Sequence, residues 1–184
     1  MADPNKPAKV RMMVSNLFYE IDSLEHDLAL ATEFGHVMVA WSKAEDMIAC
    51  ASSAIIGIET NLAQELMVRI PTFESRTKWI QLLLGHWQKN DPKKAKNLKV
   101  IVEALSELAS QRNGWVHGKW CKHQRSNRTM VFDLRKPAGK SRGKIVTAMA
   151  LKNHRMAVRK LTDQLISELP GYLLLSDAPV PRDR

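Results

Sequence analysis

The chain has few cysteines and no long apolar run. Two cysteines occur in 184 residues, so no disulfide framework is expected and a reducing compartment suits the protein. No apolar stretch is long enough to span a bilayer, and the first residues lack the apolar core of a secretion signal. We therefore expect a cytoplasmic protein with no membrane partner.

Several kinds of catalytic centre are also missing. Neither glycine-rich phosphate loop occurs, which disfavours the nucleotide hydrolases that depend on them. Glu45 and Asp46 are adjacent and diverge on a helix, so a two-metal nuclease is poorly supported. The side chains of His117, Cys121 and His123 can bind zinc, but a structural site needs four ligands and no second pair has suitable spacing. We expect no metal and no cofactor.

The positive charge is concentrated in one segment. The net charge is +9, yet residues 112–160 carry 14 lysines and arginines against the single acid Asp133, whereas residues 1–111 and 161–184 are each at −2. Such a segment repels itself unless an anion is nearby, although a solvated surface is the ordinary alternative. The pattern predicts a nucleic-acid or phosphate-rich partner. The candidate contacts are Lys119, Lys122, Arg125, Arg128, Arg135, Lys136, Lys140, Arg142 and Lys144.

Apolar periodicity predicts a mainly α fold in one domain that spans residues 1–184. Apolar residues three and four apart predict helices over about 34–56, 61–69 and 73–87. Asp91 and Pro92 are a typical helix opening, and a last helix is expected from 153 to about 169. The core is expected at about 34–169, followed by a loose tail over 170–184.

Two β-prone runs interrupt the helical pattern. They cover residues 129–135 and 144–151 and flank a turn region that contains Pro137 and Gly139. This arrangement predicts one β-hairpin, inserted between the fourth helix and the last one.

The fourth helix carries Arg112, Asn113 and His117, a combination that can act on a phosphodiester. Arginine holds a phosphate with a planar, charged fork of donors, and histidine exchanges protons near neutral pH. The apolar stripe of this helix is formed by Leu98, Ile101, Leu105 and Leu108. Arg112 lies about 20° from the direction of Leu105, so it should point inward and need a partner. Glu45 is the candidate, although it could equally be an edge carboxylate that faces solvent. The plainer alternative is that Arg112 forms a structural salt bridge and that His117 only interacts favourably with the C-terminal end of the helix dipole.

Arg112 and His117 do not share a helix face, because five positions correspond to about 140° of rotation. Either Gly114 and Gly118 loosen the helix so that both side chains reach one phosphate, or the two groups meet across a two-fold axis between subunits. We favour the second arrangement, which requires a homodimer.

The Arg-Asn-x-x-x-His string near the end of a helix resembles the signature of the HEPN superfamily. HEPN domains are helical bundles, and many are metal-independent ribonucleases of toxin–antitoxin systems and antiviral defence that dimerise to bring two motifs into one cleft. The resemblance covers roughly residues 34–169. It implies that Arg112 and His117 are the catalytic pair and that Asn113 supports them, and it makes a neutralising antitoxin protein a candidate partner.

Two classes of function follow. The leading one is an endoribonuclease in which a 2′-hydroxyl attacks its own phosphate and leaves a 2′,3′-cyclic phosphate. The other is a non-catalytic HEPN-like module that binds RNA, a nucleotide or a partner protein. The histidine favours the enzyme, because a binding module has no need for it. Trp115 and Trp120 are the two indoles to test for base stacking, although tryptophan is more often a core residue.

Overall fold

The computed structural model describes residues 18–20, 24, 27–133 and 143–169. Five helices and four short strands occur within these ranges, so the predicted mainly α fold is confirmed. In chain order the elements are β1 (Phe18–Glu20), α1 (Leu28–Ile56), α2 (Thr60–Arg69), α3 (Phe73–Trp87), α4 (Pro92–Val116), β2 (Lys119–His123), β3 (Thr129–Phe132), β4 (Lys144–Ile145) and α5 (Ala148–Ser167).

Side-chain caps fix where the helices begin. Helix α1 starts earlier than the predicted position 34, because the carboxylate of Asp27 accepts a hydrogen bond from the Leu30 amide at 3.2 Å. Asp91 caps α4 in the same way through the Lys94 amide at 3.0 Å. The predicted end of α1 is confirmed, since Gly57 adopts a left-handed conformation with a φ of 72°.

The core lies between two pairs of helices. Helix α1 packs mainly against α5, and α3 packs against α4. The apolar faces predicted for α1 and α4 are the buried ones, which confirms the helical periodicity. Their fully buried members are Val37, Trp41, Ala44, Ile48, Ala51, Leu98 and Leu105.

The strands form one antiparallel sheet in the order β1-β2-β3-β4. Three of them lie between α4 and α5, so this insertion is larger than a single hairpin. In the register, Cys121 of β2 lies opposite Met130 of β3, and Met130 lies opposite Ile145 of β4. Strand β2 was not predicted, because its lysines and histidine break the apolar alternation.

The predicted second strand over residues 144–151 is wrong in most of its length. Strand β4 ends at Ile145, and α5 already begins at Ala148 rather than near 153. The cause is Thr147, whose hydroxyl accepts a hydrogen bond from the Ala150 amide at 3.1 Å and thereby caps the helix. Ala148 to Leu151 contains strong helix formers, so the cap and helix propensity together prevail over β pairing.

The hairpin tip and the tail expected at 170–184 lie outside the described residues. In the part of the chain that the structure describes, no helix combines the length and apolar character that crossing a membrane would require.

We expect Gly118→Ala to lower the free energy of unfolding by about 1–3 kcal/mol. Gly118 links α4 to β2, and an added Cβ would meet the Gly114 carbonyl oxygen and the side chain of Val131. Gly114→Ala is the matched control, because nothing lies within 4 Å of its Cβ position. As a helix-interior change it should stabilise by about 0.5–1 kcal/mol. Urea unfolding measures both, and equal effects would contradict the close packing.

Candidate active site

The guanidinium of Arg112 points into the protein and meets a carboxylate. Its Nη2 donates to Oε1 of Glu45 at 3.2 Å, and 13% of the Arg112 side chain is exposed. The predicted inward direction and the predicted partner are therefore both confirmed. The ion pair joins the middle of α1 to the end of α4, so it fixes the arginine of the motif relative to the helical core.

A second arginine, missed from the sequence, shares the same carboxylate. Arg76 of α3 donates from Nη1 to Oε2 of Glu45 at 2.9 Å and from Nε to the Ile70 carbonyl at 2.9 Å. Two guanidinium groups on one carboxylate leave this cluster with one positive charge in excess. The only sequence signal for Arg76 was its position next to Thr77, which lies on the buried face of α3.

An aromatic side chain, Trp41, also contacts the cluster of Arg112, Arg76 and Glu45. The guanidinium carbon of Arg112 lies 5.1 Å from the centre of the Trp41 ring, within the range of a cation–π contact. Trp41 in turn donates from Nε1 to Nε2 of His154 at 3.1 Å. Trp41 and His154 are 1% and 5% exposed, so the hydrogen bond between them is fully inside the core.

Burial, and secondly the positive charge of Arg112, lower the pKa of His154 to about 4. The ring is therefore neutral at neutral pH, and because Nε2 accepts from Trp41 its proton is on Nδ1. Within the described part of the chain, Nδ1 of His154 and Nε of Arg112 are buried without a hydrogen-bond partner. His154 went unnoticed in the sequence although it lies four positions before Val158, in register with the apolar stripe of α5.

His117 is exposed and lies at the end of the motif helix. It is the C-cap of α4, and its amide donates to the Asn113 carbonyl at 3.0 Å. Helix α4 runs unbroken through Gly114 to Val116, so the glycine does not loosen it. At the spacing of an ideal helix the positions of Arg112 and His117 are about 140° apart around the axis, and the helix has no break before Val116 that would bring them onto one face.

The basic residues that the structure describes do not form a single face. Arg125 and Arg128 are exposed in the turn between β2 and β3. Lys119 and Lys122 are three positions apart on β2, so they project from opposite faces of the sheet. Lys144 is exposed on the edge strand β4. The remaining predicted contacts lie outside the described residues and are Arg135, Lys136, Lys140 and Arg142.

Two cations of the basic segment 112–160 form ion pairs within the protein. Arg155 of α5 forms a two-pronged ion pair with Glu33 of α1, with N···O distances of 3.0 and 3.3 Å. Arg112 is paired with Glu45 as described above. The carboxylates of α1 thus neutralise two cations of the basic segment and hold α4 and α5 against α1.

Trp115 and Trp120 both pack against the helical core. Trp115 meets the His154 ring edge-on at 4.6 Å, and Trp120 meets Phe34 edge-on at 5.6 Å. Nε1 of Trp120 also donates to the Trp115 carbonyl at 2.9 Å. These contacts favour the core role for both indoles over a role as open stacking platforms.

Comparisons with protein-family models, curated proteins and solved structures gave no match for this chain. Among the residues that the structure describes, no three histidine, cysteine or acidic side chains are grouped so that they could hold a metal ion. His117, Cys121 and His123 therefore do not form such a group.

We expect Glu45→Gln to lower the free energy of unfolding by about 2 kcal/mol, because two partly buried guanidinium groups would lose their counter-charge. Glu74→Gln is the matched control. It breaks an exposed pair with Lys78, in which both side chains are about 70% exposed, and should change the free energy of unfolding far less, because water screens such a pair. Chemical denaturation compares the two, and a Glu45 effect as small as the Glu74 effect would show that the cluster does not hold the helices together.

The stability of the protein should fall on acidification in a way that depends on His154. The pKa of His154 is 6.5 when unperturbed and about 4 in the folded protein. Between these values the unfolded chain binds a proton that the folded chain does not, so stability falls as pH falls. The slope from this one group is at most about 1.4 kcal/mol per pH unit. Denaturation at pH 6.5 and 5 should give a shallower slope for His154→Phe, and equal slopes would contradict the assignment.

Proposed function

We propose that this chain is a metal-independent endoribonuclease of the HEPN type that acts as a homodimer. The observation that carries the proposal is the ion pair of Arg112 with Glu45, which fixes a charged guanidinium at the end of α4, together with the exposed His117 five positions later. A phosphate-binding cation and a side chain that can exchange protons are thus held on one rigid element.

Arg112 and His117 have different roles in the proposed reaction. The 2′-oxygen of the ribose attacks its own phosphorus, the bond to the 5′-oxygen breaks, and a 2′,3′-cyclic phosphate remains. His117 takes the proton of the 2′-hydroxyl and delivers it to the departing 5′-oxygen. Arg112 stabilises the negative charge that grows on the non-bridging oxygens, and the excess charge of its cluster with Arg76 strengthens that effect. Asn113, which is half-buried beside Arg112, supports the pair.

The geometry of α4 supports a homodimer. At the spacing of an ideal helix Arg112 and His117 are about 140° apart, so a single phosphate cannot readily meet both from one chain. A two-fold axis beside the helix end would bring the arginine of one subunit toward the histidine of the other. Each cleft is then composite, and the exposed position of His117 is the position that such an arrangement requires.

RNA would be held by the exposed basic side chains around the sheet. Arg125 and Arg128 in the β2–β3 turn and Lys144 on β4 are exposed, and phosphate contacts by such side chains give salt-dependent, sequence-independent affinity. The HEPN resemblance extends this to a toxin or defence effector with a neutralising antitoxin protein as partner.

A second candidate function is a non-catalytic module that binds RNA, a nucleotide or a partner protein. The favouring observation is the engagement of Arg112 by both Glu45 and Trp41, which leaves 13% of its side chain exposed. In that case Arg112 is a structural residue and His117 only caps the helix.

We expect the purified protein to cleave mixed cellular RNA in the presence of a chelator and to leave cyclic-phosphate ends. Arg112→Ala and His117→Ala should each lower the rate at least about 100-fold while helicity is unchanged. Arg159→Ala and His86→Ala are the matched controls, because both residues are exposed and belong to other helices, α5 and α3. Cleavage that requires Mg²⁺, or that survives both motif substitutions, would overturn the mechanism, and no cleavage at all would favour the binding module.

The charge reversal Arg125→Glu with Arg128→Glu should weaken RNA binding and flatten its dependence on salt. Lys93→Glu with Lys96→Glu is the matched control, since it changes the net charge equally at exposed positions near the start of α4. Filter binding at several salt concentrations measures both effects. If the two double variants behave alike, the β2–β3 turn is an ordinary solvated surface.

A further inference from the structure

His154 is a buried titratable side chain that the proposed reaction does not use. It lies on α5 and is 5% exposed, and among the described histidines it alone is buried. Placing an imidazole in an apolar core is unfavourable unless its polar atoms find partners. Nδ1 has none among the described residues, so the contacts of the rest of the ring must account for this position.

Those contacts connect α5 to the surroundings of Arg112. Nε2 accepts from Trp41, whose ring lies against the Arg112 guanidinium at 5.1 Å. The ring of His154 also meets Trp115 at 4.6 Å, and Trp115 is three positions after Arg112 on α4. His154 therefore contacts Trp41, which lies against the Arg112 guanidinium, and Trp115, which is close to Arg112 on the same helix.

The hydrogen bond to His154 determines how the Trp41 indole is oriented. An indole has one N–H, so a buried acceptor for it selects one orientation of the ring plane. The attraction between a guanidinium and an aromatic ring depends on the cation lying over the ring face within about 6 Å. The Trp41 ring is further fixed by the edge of Phe73 at 5.1 Å. The orientation of the Trp41 ring that contacts Arg112 is therefore determined by a side chain of α5.

The charge state of this arrangement is also defined. Arg112 on α4 acts directly on His154, and its charge is balanced by Glu45 on α1, which Arg76 on α3 shares. His154 remains neutral in these surroundings at neutral pH, so it accepts from Trp41 rather than opposing it with a second N–H. The ring adds no positive charge next to the guanidinium.

We propose that His154 and Trp41 are positioning residues for Arg112, and that their hydrogen bond holds the guanidinium where it meets the scissile phosphate. Glu45 anchors one edge of Arg112, and the indole ring fixes the plane of the fork. This inference rests on the proposed ribonuclease function.

The first test is RNA cleavage by His154→Phe, which keeps a ring against Trp115 but removes the acceptor for Trp41. We expect kcat to fall about tenfold with KM unchanged, because a displaced guanidinium weakens only transition-state stabilisation. His154→Gln, which offers a carbonyl oxygen to Trp41, should recover most of the loss. In an Arg112→Lys background, His154→Phe should cause no further loss, since an ammonium group has no planar fork to orient.

Val158→Ala is the matched control, because Val158 is fully buried one turn further along α5. It should lower stability without lowering kcat of the folded enzyme. If His154→Phe lowers kcat no more than Val158→Ala does, or multiplies the loss of Arg112→Lys, the residue is only structural and the proposal is overturned.

A second readout separates this proposal from the proposed function. The NMR signal of the Arg112 Nε proton reports the guanidinium directly, since this atom is buried. His154→Phe should shift the signal and speed its exchange with water, whereas Val158→Ala should leave it in place. If the wild-type protein does not cleave RNA, the proposed ribonuclease function is wrong. The NMR signal then tests by itself whether His154 positions the Arg112 guanidinium. A signal unchanged in His154→Phe would overturn it.

Discussion

The carboxylate of Glu45 is the constraint on which the rest of the site depends. It lies on α1 and binds guanidinium groups from α3 and α4, so one side chain joins three helices. Charges that are largely removed from water are strongly destabilising when a partner is missing. The pairing of Arg112 with Glu45 therefore stabilises the last turns of α4 in this position. Because Arg112 belongs to the motif, the packing of the bundle and the placement of the candidate catalytic group have one cause.

Helix α5 completes the same arrangement from the other side. Its His154 accepts from Trp41, and its Arg155 pairs with Glu33, so two polar contacts accompany the apolar packing of α5 on α1. Directional contacts of this kind determine the axial position of α5 along α1, which apolar packing alone specifies less sharply. The Trp41 ring between Arg112 and His154 then links this fixed helix to the motif.

Local signals explain how much of this could be predicted from the sequence. The periodic apolar residues of α1, the Asp91-Pro92 opening and the inward direction of Arg112 depend on short-range geometry, and all were predictable. The start of α5 was misplaced, because Thr147 reads equally well as a strand residue until its hydroxyl is seen to cap the helix. Arg76 and His154 were missed, since their roles depend on partners 31 and 113 positions away in the chain. The Arg112–Glu45 pair, 67 positions apart, could be predicted because the helical periodicity directs Arg112 inward and a buried charge needs a partner. No comparable signal pointed to the partners of Arg76 and His154.

The central claim is that Arg112 and His117 from two subunits act on one phosphate. Mixing Arg112→Ala subunits with His117→Ala subunits tests it most directly. In each mixed dimer a composite cleft would combine the intact arginine of one chain with the intact histidine of the other, while the second cleft would have neither. The account predicts that RNA cleavage, absent from either variant alone, returns on mixing. Mixed dimers that form but remain inactive would contradict it.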